Sequence, residues 1–210
     1  MTNTKRIRIL IADDHPIVRA GLEALINRRP DMTVVAEAAN GQEAIALFQQ
    51  HQPDITLMDL RMPKMGGVEA IQEIRRQHPT AQIIVLTTYD GDEDIYRGLQ
   101  AGAQAYILKD IPRQELLDCI RTVAEGKIHL SSTVAAKLAE RLKMEALSPR
   151  ELETLQLMGA GRNNKEIAAA LLVTEGTVKV HVNSILGKLH VNNRTEAVAV
   201  AVKRGLIQLH

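Results

Sequence analysis

The stretch Ile55-Thr-Leu-Met-Asp-Leu-Arg-Met-Pro-Lys-Met-Gly-Gly67 decides the fold. A short apolar run delivers a carboxylate, Asp59, at its end and then breaks into a loop carrying Pro63, Gly66 and Gly67, the pattern of a buried strand ending at a site. With its first residue at Asp54, this run is the third of five. The others are Ile7 to Ala12, Thr33 to Glu37, Gln82 to Leu86 and Ala105 to Leu108. Helix-period stretches alternate with them, over Ile17 to Asn27, Gln42 to Gln50, Val68 to Gln77, Glu93 to Ala101 and Pro112 to Glu125. Strict β-α alternation requires parallel strands covered on both faces, so an α/β domain with a doubly wound, five-stranded parallel sheet is predicted.

In such sheets ligands bind beyond the carboxyl ends of the strands. Asp13 and Asp14 follow the first run, Asp59 the third, Thr87 and Thr88 the fourth, and Lys109 the fifth. Three clustered carboxylates repel one another unless a cation sits among them, and hard oxygen ligands with room for water suit Mg²⁺. A carboxylate beside Mg²⁺ is a nucleophile for a phosphoryl group and gives an aspartyl phosphate. Lys109, the Thr87 hydroxyl and backbone N–H groups after Asp59 are placed to neutralise its oxygens. Neither G-x-x-x-x-G-K-[ST] nor a G-x-G-x-x-G after the first strand is present, so the phosphoryl donor is something other than a bound nucleotide. Tyr106 lies on the strand beside Thr87, where a threonine drawn inward by phosphate leaves room for a ring.

The chain of 210 residues, 45% hydrophobic and 24% charged, suits two domains better than one. Its net charge of +1 hides an asymmetry: 15 Lys and Arg against 18 Asp and Glu through Ile128, then 11 against 7. That is the sign expected if only the second part meets a polyanion. No basic segment followed by an apolar run opens the sequence, and no apolar run approaches the roughly 20 residues that span a bilayer, so no membrane association and a cytoplasmic location are expected. Cys119, the one cysteine, lies beside Leu116, Leu117 and Ile120 and reads as packing.

The β-α rhythm fills residues 5–127 and stops there. Residues 128–145 read as a helical linker, with a capped amphipathic helix over Ser131 to Leu142 and no Gly or Pro between Lys127 and Ala146. Residues 146–210 carry four helix starts. Ser148, Pro149 and Glu151 write a capping box, Asn163 and Glu166 repeat it, Thr174 caps a third helix and Asn193 a fourth. The second and third, joined by Leu172-Val-Thr174, form a helix-turn-helix. On the third, Glu175 to His190, the apolar stripe is Val178, Val182, Ile185 and Leu189. The opposite face then carries Lys179, Val180, Asn183, Ser184 and Gly187, with Lys188 at its flank. Asn183 suits adenine, Val180 a thymine methyl, and Lys179 or Lys188 guanine or phosphate, with Lys165, Thr177 and His181 placed for the DNA backbone. No aromatic residue follows Tyr106, which argues for duplex DNA over single strands or RNA.

Asp13-Asp-His-Pro16, Met58-Asp-Leu-Arg-Met-Pro63, Gly66-Gly67, Thr87 and Lys109 resemble the receiver domain of two-component response regulators. Leu147-Ser-Pro-Arg-Glu151, Gly161-Arg-Asn-Asn-Lys-Glu-Ile-Ala168 and Thr177-Val-Lys-Val-His181, with Lys188-Leu189 and Arg194, resemble the LuxR-type DNA-binding domain. Together the resemblance is to the NarL/FixJ family. It implies phosphoryl transfer from a sensor histidine kinase to Asp59. It also implies Mg²⁺ held by Asp14, Asp59 and the Arg61 backbone carbonyl, with Asp13 acting through water, and a coupled shift of Thr87 and Tyr106. It further suggests a cis bond at Lys109-Asp110, where proline is common, although the sequence leaves the isomer open. The last helix, with Val198, Val200 and Ala201, is expected to pair two copies on inverted or tandem half-sites once the protein is phosphorylated, with RNA polymerase a further partner. Aspartyl-phosphate phosphohydrolases share the site but use Asp-x-Asp, with the second carboxylate as general acid; that position is Arg61.

Overall fold

The structure, a computed structural model, describes residues 6–88 and 91–207. Two compact units emerge, one built on a sheet and one on the last four helices. The sheet contains β1 (Ile7–Ala12), β2 (Met32–Ala38), β3 (Ile55–Met58), β4 (Ile83–Thr87), β5 (Ala105–Leu108) and β6 (His129–Leu130), in the order β2-β1-β3-β4-β5-β6, with every pairing parallel. Between them run α1 (Pro16–Asn27), α2 (Gly41–His51), α3 (Gly67–Gln77), α4 (Asp92–Gln100) and α5 (Arg113–Ala124).

The sheet thus has six strands rather than five. His129 and Leu130 pair with Ala105 and Tyr106, at the head of the segment read as linker, and the His129 N–H donates to the Gln104 carbonyl at 3.0 Å. Two residues are too short for a hydrophobic period to register, so strand pairing by backbone bonds alone escaped the sequence. Helix α6 (Ser132–Lys143) follows, the Ser131 hydroxyl accepting from the Val134 N–H at 3.3 Å.

One face of the sheet buries Ile9, Ile11, Ile55, Leu57, Ile84, Leu86 and Ile107 against Leu116, Leu117, Cys119 and Ile120 of α5. Burial pushes the Cys119 thiol up to about 12, so it packs as a small apolar group. All four residues of β3 and all five of β4 are buried, as central parallel strands require.

The second unit contains α7 (Pro149–Gly159), α8 (Asn164–Leu171), α9 (Glu175–Leu189) and α10 (Arg194–Arg204). The four expected caps form: Ser148 and Asn163 close full capping boxes, and the Thr174 and Asn193 side chains accept from the Thr177 and Glu196 N–H groups. Its core is separate from that of the sheet and holds Leu155, Met158, Ile167, Val178, Ile185, Leu189, Ala197 and Ala201. No helix among the described residues is long and apolar enough to cross a membrane.

Candidate functional sites

The carboxyl ends of β1, β3 and β5 bring Asp13, Asp59 and Lys109 together. Asp13 is 2% and Asp59 4% exposed, and Lys109 Nζ lies 2.6 Å from Asp13 Oδ2 and 2.5 Å from Asp59 Oδ2. Burial works to lower the Lys109 pKa, but the two carboxylates outweigh it and hold the ammonium above its ordinary range. The backbone places Asp59 and Lys109: the Asp59 N–H donates to the Ala12 carbonyl at 2.8 Å and the Lys109 N–H to the Thr87 carbonyl at 2.8 Å. Thr87 ends β4 with no exposed surface, and Tyr106 is buried on β5, its ring beside Gly98 of α4.

The loop after Asp59 folds back on it. The Arg61 N–H points to Asp59 Oδ1 at 3.4 Å, and the Gly67 N–H donates to the Leu60 carbonyl at 2.8 Å. A Cβ on Gly67 would collide with the Asp59 carbonyl oxygen, so only glycine lets the start of α3 approach the strand end this closely. No described peptide bond is cis, and Lys109-Asp110 is trans.

One member of the cluster was not foreseen. His15, next to the paired aspartates, has Nδ1 2.7 Å from Asp14 Oδ1 and 3.3 Å from Asp13 Oδ1, and its N–H donates to Asp13 Oδ1 at 2.9 Å. Ligand atoms of Asp13, Asp14, His15 and Asp59 all lie within 4.8 Å of one another. Asp14 Oδ1 is buried and forms no hydrogen bond, although His15 Nδ1 stands 2.7 Å from it. An acceptor left open beside two further carboxylates fits a small hard cation such as Mg²⁺.

On α9, Val178, Ile185 and Leu189 are buried and Val182 packs against them, while Lys179, Val180 and Asn183 are exposed, Val180 by 66%. Gly187 faces open space. Lys165 on α8 is also exposed, and Thr177 and His181 are half-buried. Two residues depart from the expected outward face. Ser184 Oγ donates to Glu151 Oε1 at 2.6 Å, and Lys188 Nζ to Glu151 Oε2 at 2.9 Å and to the Ala146 carbonyl at 3.3 Å. Both turn toward α7, because a buried carboxylate with acceptors to spare draws donors that solvent would otherwise hold. On α10, Ala201 has no exposed surface and Val198 packs on the same core, so of the three residues expected at a dimer contact only the half-buried Val200 lies outside it.

Residues 9–121 match the response regulator receiver domain family, and residues 145–201 match the LuxR family of bacterial regulatory proteins. The chain belongs to the LuxR/NarL-family response regulators. This response regulator is 42% identical to the transcriptional regulatory protein YxjL of Bacillus subtilis, over 98% of the chain and 100% of the relative. It is 41% identical to the transcriptional regulatory protein LiaR of the same organism, over 96% and 99%. Among solved structures it resembles the two-component response regulator RcsB in complex with DNA, with a TM-score of 0.70, 27% identity, and 95% and 99% of the two chains covered. The response regulator is therefore a DNA-binding transcription regulator with a receiver domain.

Proposed function

We propose that Asp59 accepts a phosphoryl group from a sensor histidine kinase and that this modification controls DNA binding by α9. The observation that carries the reading is the packing of two almost fully buried carboxylates, Asp13 and Asp59, on one ammonium, with the Asp14 carboxylate within ligand reach of both. Asp13, Asp14 and Asp59 would hold Mg²⁺, with the Arg61 carbonyl as a further ligand; when bound, it supplies positive charge against which phosphoryl oxygens are neutralised. An Asp59 oxygen attacks phosphorus, the P–N bond to the donor imidazole breaks, and the imidazole leaves with the bonding pair. Lys109 then passes from the carboxylates to a phosphoryl oxygen, and the Thr87 hydroxyl takes another, with Tyr106 moving in concert.

The donor has a surface to meet. Ile17, in the first turn of α1, is 88% exposed, and a groove of about 380 Å³ runs past it, bounded by Val18, Leu25, Lys109, Ile111 and Leu116. An apolar wall beside the reacting end is suited to a helix that carries a phosphohistidine.

Downstream, Lys179, Val180 and Asn183 read bases, with Lys165, Thr177 and His181 toward the phosphates. Two copies joined through α10 at Val200 read inverted or tandem half-sites about 34 Å apart. The protein acts in the cytoplasm, where its kinase, its DNA and RNA polymerase meet.

Intact mass after incubation with a small-molecule phosphodonor and Mg²⁺ tests the first step. One phosphoryl group is expected on the wild type and none on Asp59→Ala. The absence of an adduct on either protein, together with no stable beryllofluoride complex, would overturn the reading.

A further inference from the structure

Glu151 does more than its cap requires. A capping box asks the third residue of a helix for one bond, back to the N-cap N–H, and Glu151 Oε2 accepts from the Ser148 N–H at 2.6 Å. The same carboxylate also takes Ser184 Oγ and Lys188 Nζ, which stand one turn apart on α9. Glu151 is 5% exposed and the Lys188 side chain 17%. Lys188 Nζ has a second acceptor in the Ala146 carbonyl at 3.3 Å and lies 3.5 Å from the Glu145 carboxylate, so its three donors are accounted for inside the domain. One buried carboxylate thus joins the first turn of α7 to two successive turns of α9, and fixes both the rotation of α9 about its axis and its position along it.

We propose that Glu151 is the positioning residue of the recognition helix and that it withholds Lys188 from DNA. Lys179 is then the only Lys or Arg that α9 presents to a duplex. A lysine that neutralises a phosphate releases counterions and steepens the salt dependence of binding by about 0.9 in log–log slope. A lysine already neutralised by a carboxylate adds nothing to that slope. Freed of its partner, Lys188, at the flank of the exposed face of α9, is expected to join the phosphate contacts.

The test uses the full chain and a duplex of arbitrary sequence, with affinity measured across a salt series for the wild type, Lys188→Met and Glu151→Gln. Glutamine keeps an acceptor for the Ser148 N–H and removes the charge that holds Lys188. Lys188→Met is expected to share the wild-type slope, and Glu151→Gln to be steeper by about 0.9. Amine labelling read by mass spectrometry gives a second signal that does not involve DNA: Lys188 is expected to react slowly in the wild type and rapidly in Glu151→Gln. A slope shallower by about 0.9 in Lys188→Met would show that Lys188 contacts phosphate in the native protein. That result, an unchanged slope in Glu151→Gln, or equal labelling of Lys188 in the two proteins would each overturn the proposal.

Discussion

Carboxylates take their character from the donors around them, and the two units use buried acids in opposite ways. Asp14 Oδ1 forms no hydrogen bond, although His15 stands next to it, and it lies beside Asp13 and Asp59, whose charge Lys109 shares, whereas Glu151 is saturated by Ser148, Ser184 and Lys188. Burial alone would raise the Glu151 pKa, but those hydrogen bonds outweigh it and hold the carboxyl at about 2, against an ordinary 4.5. A carboxyl with a depressed folded pKa contributes stability above its unfolded value and loses it as pH falls through the folded one. The stabilisation, on the order of 3 kcal/mol, is therefore present above pH 4.5 and fades toward pH 2. Thermal midpoints followed by helical circular dichroism are expected to separate wild type from Glu151→Gln above pH 4.5 and to converge toward pH 2. Residue types at strand ends made Asp13, Asp14, Asp59, Thr87 and Lys109 legible, because a strand end is a fixed address in a parallel sheet. The inward turn of Ser184 and Lys188 was less so. Its signal was present in their spacing of four and in a capping-box glutamate with acceptors to spare, but a helical wheel knows only polarity and put Ser184 on the outward face and Lys188 at its flank.

Elements were read well wherever a period ran long enough, and the starts of α7, α8, α9 and α10 followed from their caps. The third strand begins one residue later than its apolar run, at Ile55, and α7 extends one residue beyond Met158, because Gly159 still fits a last helical turn. His129–Leu130 shows the limit: a two-residue strand has no period and is made by an available edge, here that of β5. Helix α9 carries its own test in Gly187. Among the described residues nothing crowds that position, so no contact there demands a glycine. Gly187→Ala is expected to stabilise the helix by about 1 kcal/mol, seen as a raised thermal midpoint. If the α9 backbone approaches DNA at this point, the same substitution weakens binding to a duplex. Tighter or equal binding by the more stable variant would assign the glycine no role at the interface.

At the scale of the whole molecule, the two units have separate cores, one around Ile11, Leu57 and Ile120 and the other around Leu155, Ile167 and Ile185. The proposed phosphoryl uptake and DNA reading are therefore expected to be separable by mutation. Ile185→Ala, which empties a fully buried site, is expected to cost 2–5 kcal/mol and to abolish duplex binding while phosphoryl uptake at Asp59 continues. Intact-mass and gel-shift measurements on the same preparation check both halves of that statement. Loss of phosphoryl uptake as well would mean that the two units do not fold separately.

The buried Cys119 also makes the protein convenient to instrument. With its only native thiol pushed up to about 12 and buried in the core, the chain is expected to behave toward maleimides as if it had no cysteine. A single dye or spin label can therefore be installed wherever a cysteine is introduced, for instance at the 70% exposed Ile128, without stripping the native sequence first.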